Sequence, residues 1–216
     1  MSDLLDRVAE PGLDLLRRVD SVLAAAGAPA DDPVWPLLRR AGALPGDILA
    51  ELLGADAAPL FTAGEALRAE AATVSRDADA VPTPAGWRGH AADEFAAQWS
   101  AAVSQVDRIT ERLTGTGLYA AEVAAWVAGS RRQFAIAVAE CLASPEAATV
   151  RLAGAARDPA VGAAAAAIAA HVLETVVAAV DAGHRLARRW AGHLDEVRYA
   201  PAAPVTDAGS PHTIEF

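Results

Sequence analysis

Apolar and small residues recur at alternating spacings of three and four along two stretches of the chain. The first runs Leu60, Gly64, Leu67, Ala71, Val74, Ala78, Val81, and the second Ala92, Phe95, Trp99, Ala102, Val106, Ile109, Leu113. This spacing keeps one stripe facing a partner helix over about three heptads, which a lone amphipathic helix of 3.6-residue period does not require. Between the two stretches lies Gly86-Trp87-Arg88-Gly89. Pro82 and Pro84 end the first helix, because neither donates a backbone hydrogen bond. Gly86 and Gly89 reach positive φ and let the chain reverse. The pattern predicts an antiparallel helical hairpin in which Leu60, Leu67 and Val74 pack against Phe95, Trp99, Val106 and Leu113. Trp87 is expected to plug its open end.

The remaining sequence reads as helices separated by breakers. Ser2 to Ala9 and Leu13 to Ala26 are predicted on either side of Glu10-Pro11-Gly12, with Leu15, Leu16, Val19, Val22 and Leu23 on one face. Short helices follow at Val34 to Arg40 and Pro45 to Leu53. Asp56 is placed as the N-cap of the first hairpin arm, Ala57 to Ala80, and the second arm runs from His90 to Leu113. Thr114-Gly115-Thr116-Gly117 is expected to close that arm before a helix from Leu118 to Leu142. Ser144-Pro145-Glu146 and Arg157-Asp158-Pro159 start two more, the last running to about Val197. No strand pattern is evident, so the expected fold is all-α, an elongated helical bundle. The divisions are an N-terminal helical segment over 1–54, the hairpin over 55–114, long C-terminal helices over 115–198 packing on it, and a flexible tail over 199–216.

With helix, turn and helix in this order, and the local run Trp87-Arg88-Gly89-His90-Ala91-Ala92-Asp93-Glu94-Phe95, the segment from Asp56 to Leu113 resembles the WXG (ESAT-like) family. These are helical-hairpin proteins associated with type VII (ESX) secretion, and this chain resembles an elongated form. The resemblance implies a non-enzymatic interaction protein, acting as a secreted substrate or as a helix-pairing partner. It also implies secreted or cell-surface localisation, the alternative being a cytoplasmic adaptor or chaperone for a secreted or toxin protein. Many substrates of that pathway carry a Tyr followed four residues later by Asp or Glu. Here Tyr119 is followed at that offset by Val123, and Tyr199 by Ala203.

Composition narrows the partners. The net charge is −10, with 53% hydrophobic residues, and all 18 basic residues are arginine. An acidic chain is a poor ligand for phosphate backbones, so no nucleic acid is expected; the partner that the WXG-like resemblance implies is another helical protein or a second copy. The arginine pairs at 17–18, 39–40, 131–132 and 188–189 are read as solvated. The apolar stretch from Pro159 to Ala182 contains His171, Glu174 and Asp181, which argues against a membrane span, so membrane contact is expected only through a secretion apparatus. Met1-Ser2-Asp3 lacks the basic start and apolar run of a cleaved signal peptide.

No catalytic constellation accompanies the hairpin, so neither enzymatic activity nor a cofactor is expected, and no catalytic, cofactor-binding or metal residue is assigned. The five histidines are dispersed. Asp181, His184, Arg185 and Arg188 suit a surface salt-bridge ladder better than a metal site. Cys141, the single cysteine, falls on an apolar helix side and is read as core. Trp35, Trp126 and Trp190 are read as core anchors, and Ser130 and Thr175 as back-bonded to their helices or closely packed. The site residues are therefore structural: the turn Gly86, Trp87, Gly89 and the seven packing residues named above. The apolar segment Leu4 to Leu23 is a further docking face if it does not fold onto its own core.

Overall fold

The computed structural model describes residues 3–81, 86–152 and 158–196. The described residues are all-α, with no strand, in the order α1 (Leu4–Ala26), α2 (Val34–Ala41), α3 (Pro45–Gly54), α4 (Ala58–Asp79), α5 (His90–Leu142), α6 (Pro145–Leu152) and α7 (Pro159–Glu196). Pro82, Pro84 and the tail over 199–216 lie outside the described residues.

Two expected breaks are absent. Helix α1 runs straight through Pro11. Proline there removes one helical hydrogen bond, but tertiary burial of the stripe holds the helix together. Leu5, Gly12, Leu15, Leu16 and Val19 are all buried, and a Cβ on Gly12 would meet Val138 of α5 at 2.8 Å. The N-terminal apolar segment is thus core. Helix α5 likewise continues through Gly115 and Gly117, so Leu113 and Leu118 belong to one helix of 53 residues, ~80 Å long at 1.5 Å per residue. The glycines serve close approach here, not reversal. Gly117 packs on Gly64 and Arg68 of α4, and Gly115 lies under the ring of His193 of α7.

The core lies at one end, around the second half of α5 and the first half of α7. Leu5, Leu15, Leu16, Val19, Leu49, Phe134, Val138, Val172 and Leu173 are fully buried there, and Cys141 is buried beside them. Burial pushes the Cys141 thiol up to about 11. By length and composition, α7 over Pro159–His193 would suffice to cross a bilayer. In the fold it packs on α1, α2, α5 and α6.

Helix ends are fixed locally. Asp3 caps α1 in a reciprocal capping box with Asp6. The Ser144 hydroxyl accepts from Ala147 N at 3.2 Å at the start of α6, and Asp158 accepts from Ala160 N at 2.9 Å at the start of α7. Asp56 accepts from Ala58 N at 2.9 Å from one position before the N-cap residue, Ala57.

Helix α7 runs antiparallel to α5. Glu140 pairs with His171, the Trp126 Nε1 donates to the Ala179 carbonyl at 2.9 Å, and Thr116 meets His193, so α7 numbers rise as α5 numbers fall. The α4–α5 direction follows from reach. Gly64 lies against Gly117, so Asp79 stands ~22 Å along α4 from that contact and His90 ~40 Å along α5. A parallel pair would separate those ends by ~60 Å, whereas the ten-residue link spans at most ~36 Å. The two helices are therefore antiparallel, and α5 projects ~18 Å past the end of α4. The described helices taper from a multi-helix head, through a neck of α4, α5 and α7, to a two-helix arm, beyond which α5 alone of them continues to the tip.

Candidate functional site

The Trp-x-Gly turn sits at this tip. Gly86 and Gly89 adopt φ of +85° and +106°, the positive values the reversal needs. Trp87 is 51% exposed and rests on Phe95 with centroids 5.5 Å apart, and Phe95 stacks on Trp99 at 6.3 Å and 6° between planes. The expected plug is not formed. Among the described residues α4 ends at Asp79, so no described helix pairs with the start of α5 beside Trp87, and the indole lies against Phe95.

The seam between α4 and α5 is made by small residues. Gly64 and Ala71 of α4 and Gly117 of α5 are buried, and a Cβ on Gly64 would stand 2.8 Å from the Gly117 carbonyl oxygen. Leu67, Val74, Trp99, Val106 and Leu113 are half-buried, while Leu60 and Phe95 are exposed. Helices brought this close leave larger stripe residues at the edges of the seam. Phe61, Val81, Val103 and Ile109 are also exposed on the arm, so apolar surface runs along much of its length.

The neck fixes how the arm leaves the head. Trp190 donates to Glu122 at 3.0 Å, Arg189 pairs with the same carboxylate, and Tyr119 packs on Trp190 with centroids 5.7 Å apart. The hydrogen bond from Trp190, helped by Arg189, holds the Glu122 carboxyl below the usual carboxylate range. Trp126 and Trp190 are half-buried, each with its N–H satisfied, and Trp35 donates to the Pro29 carbonyl at 2.8 Å. Thr175 bonds back to His171.

Arg131 and Asp181 behave differently from the sequence reading, and Asp20 carried no reading there. Arg131, from a pair read as solvated, is 8% exposed. Its Nε donates to Asp3 at 2.7 Å, its Nη2 to Asp6 at 3.0 Å, and its Nη1 to the Ala55 carbonyl at 3.0 Å and to that of Leu52. One guanidinium thus ties the acidic start of α1 to the carbonyl end of α3, and its hydrogen bond pulls the Asp3 carboxyl below its ordinary range. Asp181 joins no ladder with His184; it pairs with Arg40 of α2 at 2.6 Å. Asp20 accepts from Gly46 N at 3.0 Å at the start of α3, while its Oδ1 is buried without a partner. Burial pushes that carboxyl up to about 6.

A recess of 220 Å³ brings Cys141, His171 and Glu140 to one wall. His171 is held by Glu140 at 2.9 Å, and the thiol points to the Ile168 carbonyl at 4.0 Å. A raised thiol pKa keeps sulfur protonated, which opposes a nucleophilic role. Among the described residues, no three of His, Cys, Asp and Glu converge as a metal site. Most of the exposed large apolar side chains among the described residues lie on α4, α5 and the turn between them. Comparison with family models, with curated proteins and with solved structures finds no match to this chain.

Proposed function

We propose that the chain is a non-enzymatic helical interaction protein that docks a second helical protein along the α4–α5 arm. In this reading it serves a type VII secretion-like system, as a secreted substrate or as a pairing partner, and needs no cofactor or nucleic acid. The observation that carries the proposal is the arm, whose apolar edge residues and tip aromatics Trp87 and Phe95 stand in solvent while the head buries its own core. A two-helix pair lined by Gly and Ala accepts a further helix at close range, and exposed aromatic residues are favoured interface anchors. The Trp87-Arg88-Gly89 turn with the helices on either side supports the WXG-like assignment. The offset of Val123 from Tyr119 favours a second reading, a cytoplasmic adaptor for an exported protein.

Affinity purification of the tagged full chain from its native organism, with fractionation of cells and medium, tests both. A stable helical partner encoded beside a secretion ATPase, with the chain in the medium, supports the first reading. The same partner with the chain retained in the cytoplasm supports the second. A partnerless chain with a measurable hydrolytic or transfer activity overturns both.

A further inference from the structure

Helix α3 has no cap of its own. Its N-cap residue, Leu44, makes no side-chain bond to the first turn, and 10 residues are too few to hold a helix in water unaided. The cap comes from α1 instead, where one oxygen of Asp20 accepts from Gly46 N at 3.0 Å. Glycine permits that approach, since a Cβ on Gly46 would run into the Asp20 carboxylate. At its other end α3 is tied to α5, whose Arg131 donates to the carbonyls of Leu52 and Ala55. Between the two fastenings Leu49 is fully buried, lying over Gly12 of α1 beside Val138 of α5.

Protons act on only one of these fastenings. A guanidinium keeps its charge at any working pH, so the Arg131 end is permanent. The Asp20 end is not. Its Oδ1 is buried without a partner, which leaves the carboxylate a single hydrogen bond. Among the described residues no arginine pairs with it: Arg17, one turn back on α1, lies with its stem against Gly46, and Asp47 on the first turn of α3 opposes ionisation. The helix end and the Gly46 N–H favour the anion, yet neither serves Oδ1, and sealing a charge from water costs more than one bond returns. Burial accordingly pushes the carboxyl up to about 6. A neutral carboxyl keeps its bond from Gly46, with the proton on Oδ1.

We infer that the first half of α3 is a proton-controlled latch, closed over Gly12 and Val138 when Asp20 is neutral and released when it is charged. The chain has joints for this motion. Gly42, with φ of +71° and open space around it, lies two residues before Leu44, and the Arg131 contacts hold the far end as a pivot. Helix α2 stays on α7 through Arg40 and Asp181. Release uncovers an apolar floor in the head, so the device is independent of the α4–α5 arm. Asp20 set free has the ordinary value of 3.8, so the closed form binds more protons and closure weakens as pH rises through about 6.

Hydrogen exchange with mass spectrometry on the full chain at pH 5 and pH 7.5, each corrected for the intrinsic exchange rate, tests the latch. Opening of Ile48–Leu53 is expected to rise about tenfold over that interval, with Phe134–Cys141 unchanged. Asp20→Asn, an uncharged acceptor of nearly the same shape, is expected to keep the segment closed at both pH values, and Asp20→Ala to leave it open at both. A wild type with no pH step, a step that survives in both variants, or an equal step across Phe134–Cys141 overturns the inference.

Discussion

A Cβ on Gly117 of α5 would lie 2.8 Å from the carbonyl oxygen of Gly64 on α4, so the two helices touch backbone to backbone where the arm leaves the head. That contact sets the spacing of the whole α4–α5 pair. The obstruction is a carbonyl, which cannot swing away as a side-chain tip does.

Gly117→Ala is therefore expected to destabilise the protein although alanine is the better helix former. Overpacking of ~1–3 kcal/mol outweighs the propensity gain of ~1 kcal/mol. Gly129, also inside α5, has nothing within 4 Å of a built Cβ, and Gly129→Ala is expected to stabilise by ~0.5–1 kcal/mol. Urea unfolding of the two variants beside wild type checks the opposite signs.

Arg131→Ala removes one guanidinium from two carboxylates and two carbonyls, and is expected to cost ~2–4 kcal/mol, tempered by the solvent access of Asp3 and Asp6. Arg132→Ala, at the exposed neighbour, is expected to stay within ~0.5 kcal/mol of wild type. Thermal melts of the pair separate the two arginines.

Asp20 and Asp3 give opposite pH dependences. The Asp20 carboxyl is raised from 3.8 to about 6, so its contribution is fully present below 3.8 and is lost as pH rises through about 6, by up to ~3 kcal/mol. Asp3 is lowered, so its contribution holds above its unfolded value and is lost as pH falls through the folded one. Asp20→Asn is expected to gain stability relative to wild type at pH 8 more than at pH 5. Denaturant melts at both values measure the difference.

Trp87→Ala is expected to cost less than ~1.5 kcal/mol, because half of the ring is already in solvent, whereas Phe134→Ala, at 1% exposure, is expected to cost ~3–5 kcal/mol. Equal losses from the two would contradict the exposed tip.

The helical content was legible in the sequence because alanine composition, the three-four stripes and the caps at Ser144 and Asp158 all act locally. What stayed hidden depends on neighbours distant in sequence. Gly115 and Gly117 read as a loop because a glycine that admits a crossing helix has the same local signature as one that turns the chain. Pro11 read as a break, since the burial of Leu5 and Leu15 that overrides it is tertiary. Gly86 and Gly89 were legible as positive-φ turn residues, but not that α4 as described ends at Asp79 and that Trp87 stands half in solvent. Arg131 carried no signal apart from its exposed neighbour Arg132, because its acceptors lie at the start of α1 and the end of α3.

The central claim, that the arm is the surface through which the protein works, is tested most directly by hydrogen exchange with mass spectrometry on the full chain, dilute and in its assembled state. The account predicts rapid exchange over His90–Leu113 in the dilute chain, slow exchange over Arg131–Cys141, and protection on assembly concentrated in His90–Leu113. Protection that appears instead on α1 to α3, with the arm unchanged, would contradict it.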